Sequence, residues 1–267
     1  MILDDTYQLL KTKYHYLTDH LTISDVRFGV FLTAVRLSDN SVGFASTMQD
    51  DQFNCMKKNR DYGEYSPLHI TGRTVSDLFE SEKRSSLIST LKIAVMNAIS
   101  SNILSQVDYH IIEDADPIEL IDLDSSKTIT LVGAFHSYIQ KILKTNNRLY
   151  VLELNESALP DQFREYYVPA SESGNVIPES DIVIITGFTL VNSTIDGLLD
   201  SVLPKTQVIV TGPSGSLIPD ILFRNNVQMV GATRITNPDM LFTLVGEYGA
   251  GYHLFSYCAQ KICILND

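Results

Sequence analysis

Cysteine is scarce in this chain of 267 residues: only Cys55, Cys258 and Cys263 occur, and no two form a Cys-x-x-Cys pair. That excludes a disulfide framework and a thiolate zinc site, and it fits buried thiols in a reducing compartment. Basic charge is short as well. Twenty Lys and Arg stand against 32 Asp and Glu, a net charge of −12, whereas phosphate backbones need a concentrated basic surface. Short clusters such as Lys57-Lys58-Asn59-Arg60 read as solvated loop residues. Long hydrophobic runs are missing too, since no stretch approaches the roughly 20 residues that span a bilayer. The acidic start, Met-Ile-Leu-Asp-Asp, lacks the basic-then-apolar order of a secretory signal. The expectation is a cytoplasmic protein with neither nucleic acid nor membrane as partner.

Signatures of known chemistry are equally thin. The turn Val132-Gly133-Ala-Phe-His136 has no second glycine to let a pyrophosphate approach the backbone. Thr211-Gly-Pro-Ser-Gly-Ser216 has no P-loop lysine, and Ser214 misses the spacing of a nucleophile elbow. No His-x-x-x-His or Glu-x-x-His pair occurs. Whether the chain is an enzyme is left open.

What is present is a change of rhythm. Residues Leu3 to Leu21 carry helical spacing, Val26–Leu37 and Val42–Thr47 read as a hairpin about the Ser38–Ser41 turn, and 50–67 reads as a polar loop. A Thr74/Asp77 cap opens a short helix, and Ser86–Leu104 is a longer one with Leu91, Ala94, Val95 and Ala98 on one face. Such an order indicates a small α+β domain. After a turn-rich stretch at Asp122–Lys127, strands alternate with helices: Thr128–Val132, Arg148–Leu154, Asp181–Ile185, Gln207–Thr211 and Val227–Val230. The fold class is therefore α/β, with a Rossmann-like parallel sheet at 125–267 behind a smaller α+β domain at 1–124. Asp181–Ile185 has no polar alternation, which suits a strand buried on both faces.

Ligands of open α/β sheets sit at the carboxyl ends of strands, so the candidates gather there. Gly133 ends the first strand. Glu153 ends the second, where a carboxylate can accept two hydrogen bonds from a ribose diol. His136, at the same turn, could join Glu153 as a donor to a borderline metal. Thr186-Gly187 ends the central strand, with Asn192-Ser193-Thr194 as caps of a following helix. Gly212, Ser214 and Ser216 form a turn with the look of an anion cradle, followed by a helix from Leu217. Asn97 interrupts an apolar helix, and its side chain either makes a structural hydrogen bond or projects toward the cleft between the domains.

Several segments together resemble a heavy-metal chelation family of unknown function. They are Leu131-Val-Gly133, Val151-Leu-Glu-Leu-Asn155, Pro178–Gly187, Leu190-Val-Asn-Ser-Thr194, Val208-Ile-Val-Thr-Gly-Pro-Ser214 and Leu91–Ala98. The resemblance implies an enolase N-terminal-like first domain and a metal ion or small chelate in the interdomain cleft, with links to corrinoid or metal metabolism. It brings Asn155 and Thr194 into the site. His136 and Glu156 stand near positions where the family carries prolines, which puts the ligand's identity in doubt. The resulting expectation is a binder of a transition-metal ion or chelate, with Glu153 and His136 as donors and a homodimer as the assembly. The rival is an enzyme that uses S-adenosylmethionine or NAD at the same strand ends.

Overall fold

A computed structural model describes residues 1–49 and 63–266. Cys55, the Lys57–Arg60 cluster and most of the loop expected at 50–67 lie outside the described residues. The smaller of two sheets is antiparallel and consists of β1 (Ile23–Phe28), β2 (Leu32–Leu37) and β3 (Val42–Ser46), in that order. The run read as one strand from Val26 to Leu37 is thus two. It reverses at Gly29–Phe31, where Gly29 N–H donates to Leu32 O at 2.9 Å. No Asn, Asp or Pro marks that turn. The first helix likewise splits at Tyr14 into Ile2–Lys13 and His15–Thr18.

The larger sheet is built from β4 (Ile111–Glu113), β5 (Thr128–Val132), β6 (Arg148–Glu153), β7 (Tyr167–Pro169), β8 (Ile182–Thr186), β9 (Gln207–Thr211), β10 (Met229–Ile235) and β11 (Ala259–Leu265). Their spatial order is β4-β11-β10-β9-β8-β5-β6-β7. The six strands from β10 to β7 are parallel, while β11 runs antiparallel to β10 and β4 antiparallel to β11. The Rossmann-like parallel sheet therefore carries two antiparallel strands on one edge.

The unbroken apolar run of β8 follows from its central position. Val183 and Ile185 face one core and Ile182 and Ile184 the other, so both sets of alternating positions are buried. The first of these cores is shared with the Ser86–Leu104 helix, through Leu91, Val95 and Ile99. Each such fully buried side chain contributes about 1.5–3 kcal/mol relative to exposure. Ser85 caps this helix by accepting Ile88 N–H at 3.2 Å. Gly43 lets it lie directly on β3, since a Cβ there would come within 2.2 Å of Ala98 N and 2.3 Å of Ala94 O. By length and composition this 19-residue helix does reach what a membrane span requires, contrary to the expectation from sequence. Two-thirds of it is buried within the fold, where it lies between the sheets as a core helix.

The C-terminal helices Pro238–Gly246 and Gly251–Tyr257 close the outer face of the small sheet, packing Leu241, Phe242 and Leu254 against Leu32, Ala34 and Phe44. Asn237 opens the former by accepting Met240 N–H at 3.1 Å. Elements on either side of residue 124 thus build both sheets' cores, and β4 joins the large sheet before that point.

Candidate functional site

Register decides which loops meet. Val132 is level with Leu152 on β6 and Ile185 on β8, and Thr186 is level with Thr211 on β9. One step further, Gly133, Glu153, Thr186 and Gly212 leave the sheet along a single edge. That edge then divides into an open half and a closed half.

The open half is a cavity of about 540 Å³ over the ends of β5, β6 and β8. Five expected residues line it: Gly133, Glu153, Thr186, Asn192 and Thr194. Phe188 and Leu198 supply apolar wall, and Ser171 and Ser173 reach in from the segment after β7. Those two serines were missed because 155–178 reads as a structureless loop. The hydroxyl-rich Ser171-Glu-Ser-Gly174 was the available signal. Every described lining residue falls between Val132 and Leu198, so this cavity is not the interdomain cleft that was expected.

Local bonding shapes the cavity's polar rim. The Asn192–Thr194 segment links two short helices, Phe188–Val191 and Ile195–Asp200. Its caps work within the link: Asn192 Oδ1 accepts from Thr194 N–H at 3.2 Å and from Thr194 Oγ1 at 2.7 Å. Ser193 between them holds φ +59°, a left-handed conformation that costs a non-glycine residue about 1 kcal/mol or more. Such strain clusters at ligand-binding loops.

Glu153 is the only charged side chain among the described lining residues. Its carboxylate accepts three backbone N–H groups: Leu154 at 2.7 Å, Ala134 at 3.1 Å and Asn155 at 3.4 Å. These bonds tie the β6 end to the β5 turn, fill both acceptor sites of Oε1 and leave one free on Oε2. His136 does not join it. The ring is exposed, its Nε2 pairs with Ala158 O at 3.1 Å, and it is not among the cavity's lining residues. Asn155 is exposed and turned onto Ser157, accepting its N–H at 3.0 Å and its hydroxyl at 2.8 Å. Among the described residues no three His, Cys, Asp or Glu side chains gather where they could hold a metal ion. A bare ion therefore finds no preformed donor set here.

The closed half comprises Gly187, Gly212, Ser214 and Ser216. Gly187 packs so tightly against the next turn that an added Cβ would stand 2.4 Å from Gly215 N. The supposed anion cradle is spent on protein: Ser214 Oγ accepts Ser46 N–H at 2.9 Å, and Ser216 Oγ accepts Thr233 N–H at 3.0 Å. A short 3-10 turn, Pro213–Gly215, follows β9, and the helix begins only at Asp220, not Leu217. The turn is a docking element between the sheets. Asn97 belongs to the same joint, donating from Nδ2 to Phe44 O at 2.8 Å and to Ser214 O at 3.2 Å. It makes the structural bond and also borders a second cavity.

On the opposite face of the sheet, Asp116 accepts from Lys261 Nζ at 2.6 Å and from the Tyr138 hydroxyl. Burial opposes its charge, but those two bonds outweigh it and hold its carboxyl below the usual range. Burial pushes the Cys263 thiol up to about 12. Cys258 and Cys263 are both buried and free.

Comparison with known proteins agrees with this architecture. A family model, DUF364, described as "Putative heavy-metal chelation", matches residues 116–264, and a second, DUF4213, with the same description, matches 12–100. An uncharacterized protein of Methanocaldococcus jannaschii is 24% identical over 252 residues, covering 90% of this chain and 88% of its own. A DUF364-family structure of unknown function from Pyrococcus horikoshii superposes with a TM-score of 0.77 at 21% identity, covering 98% of this chain and 99% of that one. Another, from Desulfitobacterium hafniense DCB-2, gives 0.69 at 19% identity, with 97% and 99% covered. The structural likenesses establish the fold.

Proposed function

This chain belongs to the DUF364 family, and from that premise we propose that it binds a small metal chelate in the cavity over β5, β6 and β8. The observation that carries the reading is a roomy cavity at converging strand ends whose single charge is a carboxylate. A chelate supplies its own metal donors, so the absence of a three-donor cluster among the described residues does not count against it. Glu153 would accept a hydrogen bond from the coordinated ligand, Asn192 and Thr186 would orient it, and Phe188 and Leu198 would cover its apolar part. The lone carboxylate favours a neutral or cationic complex. A cytoplasmic location and a homodimer are parts of the same proposal.

The rival use of the cavity is by an adenosine-containing cofactor, with Glu153 on the ribose. Phosphate-bearing NAD would meet no Lys, Arg or His among the described lining residues, so S-adenosylmethionine is the version worth testing.

Equilibrium dialysis of the full chain against hexaamminecobalt(III), ferric citrate and free Co²⁺, Ni²⁺ and Zn²⁺, read by elemental analysis, tests the proposal. Retention of the cationic complex above the citrate complex and the free ions is expected. It should be lost in Gly197→Phe, which fills the cavity from a position with open space around its Cβ. Retention of no complex above background, or retention unchanged in Gly197→Phe, would refute it. Stabilisation by S-adenosylmethionine would transfer the site to the rival; a ligand at 100 times its Kd adds about 2.7 kcal/mol.

A further inference from the structure

A second cavity, also of about 540 Å³, lies between the Ser86–Leu104 helix, β3, the end of β10 and the middle of β11, well apart in the chain from the strand-end site. We propose that this interlobe cavity is a binding site for a small molecule rich in N–H donors, a primary amide or amine, recognised by Asn97 Oδ1.

The argument starts from the amide. Asn97 is 2% exposed and lines the cavity. Its Nδ2 faces two backbone carbonyls, Phe44 O and Ser214 O, and only the nitrogen end of the amide can serve both. The orientation is therefore fixed, and Oδ1 must point elsewhere. That oxygen is buried and has no hydrogen-bond partner in the protein. Buried polar atoms are nearly always paired, and an unpaired one on a cavity-lining residue calls for an outside donor.

Three serine hydroxyls on residues that line the same cavity donate to the backbone. Ser101 donates to Ala98 O at 2.7 Å, Ser105 to Asn102 O at 2.6 Å, and Ser216 to Pro213 O at 3.1 Å. With their hydrogens committed to the backbone, these three cavity-lining residues can only accept, Ser216 through the one lone pair that Thr233 N–H leaves it. These groups favour a ligand that brings N–H donors, and the Asn40 and Thr233 side chains complete the polar wall. Arg234 is the only charged side chain among the described lining residues, and Glu113 holds it through both carboxylate oxygens at 2.6 and 2.7 Å. Its positive charge is thereby offset by a carboxylate. Phe44 and Leu104 supply an apolar floor for the rest of the molecule.

Acetamide and nicotinamide are the probes, with N,N-dimethylacetamide as a control that keeps the carbonyl and lacks the N–H. Saturation-transfer NMR on the full chain should show both primary amides bound and the dimethylated control at least tenfold weaker. Ser101→Phe, an exposed position whose hydroxyl takes no part in the Asn97 strut, should abolish the signal while the unfolding midpoint stays at the wild-type value. A crystal soaked with nicotinamide should place the amide nitrogen within hydrogen-bond distance of Asn97 Oδ1. Transfer that persists in Ser101→Phe, equal binding of the dimethylated control, or water alone on Oδ1 in the soaked crystal would each overturn the proposal.

Discussion

Replacing Asn97 with Ala tests whether one buried amide holds the small sheet to the large one. The side chain spans the joint between β3 and the turn after β9, with bonds of 2.8 and 3.2 Å to Phe44 O and Ser214 O. A buried acceptor left without its donor costs about 1–3 kcal/mol, so two orphaned carbonyls cost roughly 2–6 kcal/mol. The wild-type residue already carries an unpaired Oδ1, and removing that oxygen offsets about 1–3 kcal/mol of the loss. The net expectation is a destabilisation of about 1–3 kcal/mol. At about 2–4 °C per kcal/mol for a chain of this size, Tm falls by roughly 2–12 °C. Asn97→Asp should be worse than Ala, because a carboxylate oxygen then faces two carbonyls where a donor stood. Equilibrium urea unfolding with a calorimetric Tm reads both variants. An alanine variant with the wild-type urea midpoint, or an aspartate variant as stable as the alanine one, would refute the account of the joint.

Two further outcomes follow from the same structure. Gly187→Ala should destabilise the chain by about 1–3 kcal/mol or more, because its Cβ would meet the backbone nitrogen of Gly215 at 2.4 Å, and neither chain segment can yield like a flexible side chain; a wild-type urea midpoint would contradict it. The Asp116 carboxyl is held below its ordinary value of 3.8 in the folded chain, so the stability it contributes is complete above 3.8 and fades as pH falls from there through the lower folded value. Asp116→Asn should therefore flatten the acid limb of stability against pH below 3.8, and an unchanged limb would show that the Lys261 and Tyr138 bonds do not carry that dependence.

Much of the fold could be read from local pattern. The strands at Thr128, Arg148, Ile182 and Gln207 and the helix Ser86–Leu104 appear close to their expected bounds, because each is long, apolar and bounded by turn or cap residues. The strand-end candidates Gly133, Glu153, Thr186, Asn192 and Thr194 do meet at one cavity, since parallel pairing brings equivalent strand ends together. The turn at Gly29–Phe31 and the antiparallel strands Ile111–Glu113 and Ala259–Leu265 escaped. The first has Gly29 as its one turn-forming residue within an otherwise apolar run, and the other two are short or mixed in pattern and owe their place to a neighbour in the sheet.

The sequence by itself determined that an α/β sheet would present a row of loop-bearing strand ends, because burial on both faces demands unbroken apolar strands and covering helices. Only the tertiary structure decided which of those ends stay open. Ser214 and Ser216 have the composition of an anion cradle, yet Ser214 answers an N–H on β3, 168 residues away in the chain, and Ser216 one on β10. Hydrogen-bond capacity is local, but the partner that consumes it is chosen by packing, and no pattern along the chain records that choice.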